Sequence, residues 1–292
     1  MNEYGTLTRI VLKHARDAFV DQTRVDAQWH DLRFTSPPDV VQACREYDAF
    51  VDAIATTGTA IDLLPAAAET TLDSIYVRDA SLTSGRGVIL CNMGKPQRTT
   101  EPGAQEAAFT ALGIPVAGRI TPPGRIEGGD VIWMDSHTLV VGRGYRTNDE
   151  GIRQLQAIVG PHVTIIIVPL PHWSGEHDVM HLMSLISPVD ADLAVVYSRL
   201  LPVPFREWLL LRGLSLVEVP DEEFDSMGTN VLAMAPRRCL MVRGNPRTRQ
   251  ALERAGAEVV EYDGTEISLR GAGGPTCLTR PITRAGAGTL GR

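Results

Sequence analysis

Four times along the chain, a short β-rich run is followed by a helical stretch and then by a second strand. Residues 88–92, 105–112 and 114–120 form one such unit, and 138–142, 149–159 and 163–170 the next. A third runs through 193–197, 204–211 and 214–220, and a fourth through 239–243, 249–255 and 257–263. The approach to the helix recurs too, as Gly144-Tyr145-Arg146-Thr147 in one unit and Gly244-Asn245-Pro246-Arg247-Thr248 in another. Self-similarity of this kind marks a repeat architecture, and strand–helix–strand units imply parallel pairing through helical crossovers. A fifth, longer unit opens the chain, with strands at 9–13 and 59–64 and a helix at 39–56. Residues 15–38 look like an insertion within it, carrying Trp29, His30, Arg33 and Pro37-Pro38. Long loops in compact domains are often covers over a site, so a lid is expected here; a surface loop without a role is the alternative.

Each unit also has an extra strand before its first one, expected at 73–82, 129–134, 180–186, 230–235 and 274–283. The last of these follows every other strand, so its available partner is the N-terminal strand at 9–13, and that pairing closes a ring. The expected architecture is α/β: five ββαβ units around a pseudo-symmetry axis, one propeller-like domain over residues 1–284. Residues 285–292, rich in Gly and Ala, are expected to fray. If the extra strands all face the axis, residues distant in sequence converge: Asp79, Glu127 with Asp130, His181, Asn230 and Cys277.

A chain of 292 residues, 43% hydrophobic and 22% charged, has the composition of a soluble globular protein. Its net charge of −7 argues against nucleic acid as a partner and suits a cationic small molecule. Cys44, Cys91, Cys239 and Cys277 form no CxxC pair, so neither a disulfide framework nor a zinc site is expected. The N-terminus has no signal-like apolar run, and nothing is apolar enough to span a membrane. A cytoplasmic protein is expected, and a homodimer is left open.

Cys277, after Gly271-Ala272-Gly273-Gly274, is the candidate nucleophile. A free thiol titrates near pKa ~8.5, and a cationic neighbour or substrate lowers it. Taken alone, Cys277 could equally be a small core residue. His181 suits proton transfer at neutral pH. The run Arg125-Ile126-Glu127-Gly128-Gly129-Asp130 sets two acids around two glycines at a strand entry, where close approach of a ligand or another chain is implied. Asp73 and Asp79, on one face of the expected strand at 73–82, add two more. Carboxylates gathered at the centre of a ring are costly unless cations pair with them. That cation is either a substrate or an arginine such as Arg78, Arg125 or Arg146, and for Asp130 the structural pairing is favoured. His177 and His181 at i, i+4 offer a metal-binding alternative, but the spacing is not H-E-x-x-H and the segment reads as a strand.

Together, Tyr76-Val77-Arg78-Asp79, Glu127-Gly128-Gly129-Asp130, Arg146-Thr147-Asn148, Met180-His181-Leu182 and Gly273-Gly274-Pro275-Thr276-Cys277 resemble the motifs of the guanidino-group-modifying enzymes. These are the arginine and agmatine deiminases, amidinotransferases and dimethylarginine dimethylaminohydrolases. The resemblance implies the five-bladed ββαβ propeller of that family, the pentein fold, in agreement with the repeat. It implies that Cys277 attacks a guanidinium carbon and that His181 moves protons. Glu127 and Asp79 would then hold the guanidinium, and Arg146 the substrate carboxylate. Asp73 matches an acid that contacts substrate in small members, and Arg98 is counted among the substrate contacts. The resemblance implies neither a metal nor an organic cofactor. Deiminases carry an aspartate two residues after the histidine, where this chain has Met183; an apolar wall there would suit a substituted guanidine. Arg78 pulls the other way, towards deiminases. The expected activity is hydrolysis of an N-methylated arginine to citrulline. Deimination of arginine, amidino transfer and non-catalytic binding of an arginine-like ligand are the alternatives.

Overall fold

A computed structural model describes residues 1–176 and 180–285. It contains five three-stranded sheets built to one plan. The first unit comprises β1 (Thr6–Leu12), the short helices α1 (Ala15–Ala18) and α2 (Gln22–Gln28), α3 (Val40–Ala55) and β2 (Ala60–Leu63). The second has β3 (Ser81–Ser84), β4 (Gly87–Leu90), α4 (Glu101–Ala111) and β5 (Val116–Arg119). The third has β6 (Val131–Asp135), β7 (Thr138–Arg143), α5 (Asp149–Val159) and β8 (Thr164–Pro169). In the fourth are β9 (Ile186–Asp190), β10 (Leu193–Val196), α6 (Val203–Leu211) and β11 (Ser215–Glu218). In the fifth are β12 (Val231–Ala235), β13 (Arg238–Val242), α7 (Pro246–Arg254) and β14 (Glu258–Tyr262), and β15 (Arg280–Ala285) ends the described chain.

In each sheet the middle strand pairs antiparallel with an inner strand and parallel, across a helix, with an outer one. β15 pairs antiparallel with β1, so the last strand of the chain completes the first sheet and closes the ring. The expected five-bladed ββαβ propeller is the observed fold.

Local chemistry explains the elements. Middle strands are covered on both faces and therefore read as continuous apolar runs; all of Leu193–Val196 is buried. Inner strands are sheet edges, which accommodate Pro188 in β9 and Pro281 in β15. Asp39 caps α3 by accepting from Gln42 N at 2.9 Å, and Asn148 caps α5 by accepting from Gly151 N at 2.9 Å. The largest apolar cluster joins neighbouring blades, with Val140, Val195 and Met241 of three middle strands in one core.

Two expectations need correcting. The helix expected at 105–112 starts at Glu101, because Pro102 is tolerated in a first helical turn, where its missing N–H is no loss. The inner strands also begin later than expected. Leu72–Ile75, Gly128–Asp130 and Leu182–Ser184 form 3₁₀ turns instead of strand. Asp73 and Asp79 therefore do not share a strand face: Asp73 lies in the first of these turns and Asp79 in the turn before β3. Backbone groups there bond across the ring rather than in a ladder, as Gly128 N does to Asp79 O at 2.9 Å. The tail expected from 285 onwards begins with a residue of β15; residues 286–292 lie outside the described residues, as do His177 and Asp178.

Candidate active site

Turns before inner strands, which carry Asp73, Asp79, His181 and Cys277, and the turns after two middle strands, which carry Arg98 and Arg146, surround one small cavity. Cys277, His181, Asp79, Asp73, Arg98 and Arg146 all line it, and its volume is about 70 Å³. A larger cavity of about 500 Å³ adjoins it and shares Arg33, Lys95 and Arg146. Residues 15–38 form part of the roof: Leu32 and Arg33 line the inner cavity, and Leu32 O accepts from Lys95 Nζ at 3.0 Å. Thr35 N donates to Arg270 O at 2.7 Å, anchoring this segment beside the cysteine loop.

Glu127 is fully buried, and each of its oxygens is engaged. Oε1 accepts from Gly94 N at 2.9 Å and Lys95 N at 2.8 Å. Oε2 meets His181 Nε2 at 2.8 Å and Arg146 Nη1 at 3.1 Å. Burial opposes its charge, but the His181 hydrogen bond and the Arg146 cation outweigh burial and hold the carboxyl well below the usual range. Burial likewise disfavours the His181 imidazolium, yet Asp79, Asp130 and Glu127 raise its pKa to about 9. Gly129 makes this packing feasible, since a Cβ there would lie 2.6 Å from His181 Nδ1. Asp130 accepts from Leu182 N at 3.0 Å through Oδ1; the arginine pairing favoured for it is not among the described ion pairs, and its Oδ2 is buried without a hydrogen-bond partner among the described residues.

Asp79 accepts from Gly129 N at 3.0 Å through Oδ1, which lies 3.8 Å from His181 Nδ1. Its Oδ2 is 2.5 Å from Arg98 Nη1. Arg98 directs its other nitrogens to Glu101 and Tyr76 O, so four of its five N–H donors are used within the protein. It positions Asp79 rather than presenting a free guanidinium to a ligand.

Cys277 follows Ala272, whose φ of +56° turns the chain into the site. Gly273 packs against Tyr76, where a Cβ would come within 2.2 Å of the ring. The sulfur's polar neighbours are side chains: Asn230 Nδ2 at 3.4 Å and Thr276 Oγ1 at 3.9 Å. Asn230 Oδ1 also accepts from Thr276 N at 3.0 Å, so one amide fixes both the turn and the thiol. Burial pushes the Cys277 thiol up and Asp79 adds to that, while Thr276 and Asn230 work in the opposite direction. The resting pair at neutral pH is therefore a thiol and an imidazolium.

Met183 is not brought to this cavity. It is 3% exposed within the apolar core and lines a separate cavity with Ile186, Val231 and Thr276. The expected apolar wall against the guanidine is thus not formed by Met183, because the turn Leu182–Ser184 carries its side chain away from the thiol. Lys95 was missed by sequence reasoning, although it follows Gly94 in the approach to a helix; its Nζ lies 2.6 Å from Asp73 Oδ2. Asn230 was expected to converge with the others but was given no role.

Asp79, Glu127 and His181 present ligand atoms within 4.8 Å of one another, a grouping that could hold a metal ion. Each carboxylate oxygen already accepts from at least one partner, Gly129 N or Arg98 at Asp79 and Gly94 N, Lys95 N, Arg146 or His181 at Glu127. The Asp79 oxygens keep lone pairs with which to accept from a further cationic group. No helix among the described residues is long and apolar enough to cross a membrane.

Comparison with known proteins agrees with this geometry. The family model described as arginine deiminase matches residues 72–204 and 201–284. The dimethylarginine dimethylaminohydrolase of Streptomyces coelicolor is 30% identical over 240 residues, covering 81% of this chain and 84% of that protein. Its counterpart in Pseudomonas aeruginosa is 29% identical over 243 residues, covering 83% and 89%. The solved structure of a cysteine-to-serine mutant of the Pseudomonas aeruginosa enzyme, complexed with citrulline, superposes with a TM-score of 0.75 at 26% identity, covering 94% of this chain and 98% of that one. With an unbroken ββαβ ring and a thiol, an imidazolium and carboxylates about one cavity, the chain belongs to the arginine deiminase family of guanidino-group-modifying enzymes.

Proposed function

We propose that the protein hydrolyses an N-methylated arginine at its guanidino carbon, releasing citrulline and a methylamine, through a covalent intermediate on Cys277. The observation that carries this reading is the shared cavity, in which a thiol and an imidazolium stand beside Asp79 and Asp73. A guanidinium entering there meets carboxylate oxygens suited to its planar N–H pattern. Its positive charge beside Cys277 favours the thiolate, offsetting the burial that raises the thiol pKa in the resting state.

The thiolate attacks the guanidinium carbon. The His181 nitrogen that Glu127 does not hold gives its proton to the departing amine, leaving an amidino-thioether. The now neutral imidazole takes a proton from water, which adds to the same carbon. Collapse of that adduct breaks the C–S bond and yields the ureido group of citrulline, and the proton lost from its hydroxyl goes to the departing sulfur, restoring the resting thiol beside the imidazolium. Glu127 stabilises the imidazolium throughout. Arg33 and Arg146, which line both cavities, would meet the substrate's carboxylate end, and Arg98 would act through Asp79. The segment 15–38 would serve as the cover that excludes water until the substrate is seated. The family relationship to dimethylarginine hydrolases supports a substituted leaving amine.

A second reading, deimination of free arginine, rests on Arg78 before Asp79 and on the family model itself. It uses the same steps with ammonia as the leaving group. Incubation with dimethylarginine, monomethylarginine, arginine and agmatine, scored by colorimetric detection of ureido product, ranks the two. Citrulline from methylated arginine is expected, with turnover abolished and ligand binding retained in Cys277→Ser. No ureido product from any substrate, with Cys277 untouched by a haloacetamidine, would overturn both readings.

A further inference from the structure

Arg78, in the turn before β3, and Arg280 and Arg284, on β15, form a second polar cluster whose side chains take no part in the chemical steps above. Arg78 and Arg280 are 1% and 4% exposed, among the most buried charged residues, and Arg284 lies beside them. The carboxylate placed among the three is that of Glu3, whose Oε2 lies 3.2 Å from Arg78 Nη1. Their other donors are spread over backbone carbonyls. Arg78 Nε donates to Thr276 O at 2.8 Å, Arg280 Nη2 to Arg78 O, and Arg284 Nη1 to Gly5 O at 2.6 Å and Ala233 O at 2.7 Å. Four buried donors then remain without a partner among the described residues: Arg78 Nη2, Arg280 Nε, and Nε and Nη2 of Arg284.

Arg78 and Arg280 of this cluster contact the neighbouring turns, while none of the three arginines lines the cysteine cavity. A Cβ at Gly128 would lie 2.7 Å from Arg280 Nη2, so the glycine beside Glu127 makes room for that guanidinium. Arg78 N donates to Cys277 O at 3.2 Å, tying the cluster to the nucleophile's turn. Unpaired buried guanidinium donors are expensive, and three cations against one carboxylate repel one another. Burial and the Arg78 charge accordingly pull Arg280 down to about 9; Arg284 falls to about 10, with burial the leading cause. All three arginines, Glu3 and Thr83 line a cavity of about 40 Å³, room for an ion rather than an organic ligand.

We propose that Arg78, Arg280 and Arg284 bind one small inorganic anion, a halide or a planar oxyanion, which completes the charge and hydrogen bonding of this cluster. The orphan donors supply the contacts and the excess of cations supplies the field. Specificity comes from size: an anion as bulky as gluconate does not fit. The site is independent of turnover and of the identity of the guanidino substrate.

The test measures Tm of the full chain at constant ionic strength while sodium gluconate is exchanged for chloride, bromide or nitrate. A saturating rise of about 2–6 °C is expected for at least one of the small anions. Response to halides alone assigns a spherical ion, and response to nitrate alone a planar oxyanion. Arg284→Met should remove the rise while leaving citrulline formation intact. A bromide-soaked crystal should show an anomalous peak within hydrogen-bond reach of Arg78 and Arg284 if the ion is a halide, and nitrate density there if it is not. Equal Tm in all four salts overturns the proposal, as does a rise that persists in Arg284→Met. Should that variant fail to fold, wild-type crystals soaked in bromide and in nitrate with no ion at the cluster overturn it instead.

Discussion

The carboxylates around the cysteine cavity and the arginine cluster shared by the turn before β3 and the strand β15 handle charge in opposite ways. Around the cavity, Glu127 and Asp79 have donors on every oxygen, and the groups they hold are a histidine, two arginines and backbone amides. In the cluster, guanidiniums outnumber carboxylates and four donors are left over. The lesson concerns what a buried charge is for. A saturated carboxylate holds its neighbours rigid and keeps their protonation states fixed, which is what proton transfer requires. A cation cluster with unpartnered donors carries a positive field that an anion would neutralise.

Substitutions at the entries should therefore change chemistry more than stability, and the largest effect is expected from Glu127→Gln. Losing the carboxylate removes a charge that raises the His181 pKa. The high-pH limb of kcat/KM, expected near pH 9, should move to lower pH, and kcat should fall by about 10²-fold or more. The same pKa fixes a sign for stability. A histidine at about 9 in the folded chain, above its free value near ~6.5, stabilises fully below that free value. That contribution is lost as pH rises through about 9. Denaturant titrations across this window should show a shallower loss in the variant; an unchanged slope would contradict the assignment.

Gly129→Ala comes next. Its Cβ would lie 2.6 Å from His181 Nδ1 and 2.9 Å from Asp79 Oδ1, so the imidazole must shift. Such displacement should lower kcat about 10²-fold, with KM moving less; a wild-type kcat would show that the histidine need not sit where it does. Asn230→Ala should cost about tenfold in kcat, roughly the worth of one hydrogen bond to a charged group. Because Asn230 holds the Cys277 thiol pKa down, alkylation by iodoacetamide should require higher pH in this variant. The smallest effect is expected for Met183→Leu. With Met183 in the core and away from the thiol, the ratio of methylarginine to arginine turnover should stay within about twofold, and stability should change by less than about 1.5 kcal/mol. A large shift in that ratio would return Met183 to the substrate wall.

The strand–helix–strand period was readable from residues 88–263 because middle strands buried on both faces must be apolar and crossover helices must be amphipathic. Ring closure followed from the surplus strand at the C-terminus. Asp79, Glu127, His181 and Cys277 could be singled out as well, because thiols, imidazoles and carboxylates at strand entries stand out by residue type, and the structure brings them together. Lys95 was not, since a lysine beside a turn is usually solvated, and its pairing with Asp73 depends on a contact between different segments of the ring. Asp73 and Asp79 were placed on a common strand face by alternation, a rule that ceases to apply where the strand gives way to a turn.

The sequence alone determined the five-fold repeat, the closing strand and the family, and it singled out Cys277 and His181 as the candidate nucleophile and proton carrier. These depend on periodicity and residue type, which are local properties. Tertiary structure decided what each charged group faces. It turned Met183 into the core, spent Arg98 on Asp79 and Glu101, saturated Glu127 and left Arg78, Arg280 and Arg284 with donors to spare. Side-chain direction in a turn, and the balance of charge among segments distant in the chain, are set by packing around the axis, and no local pattern records them.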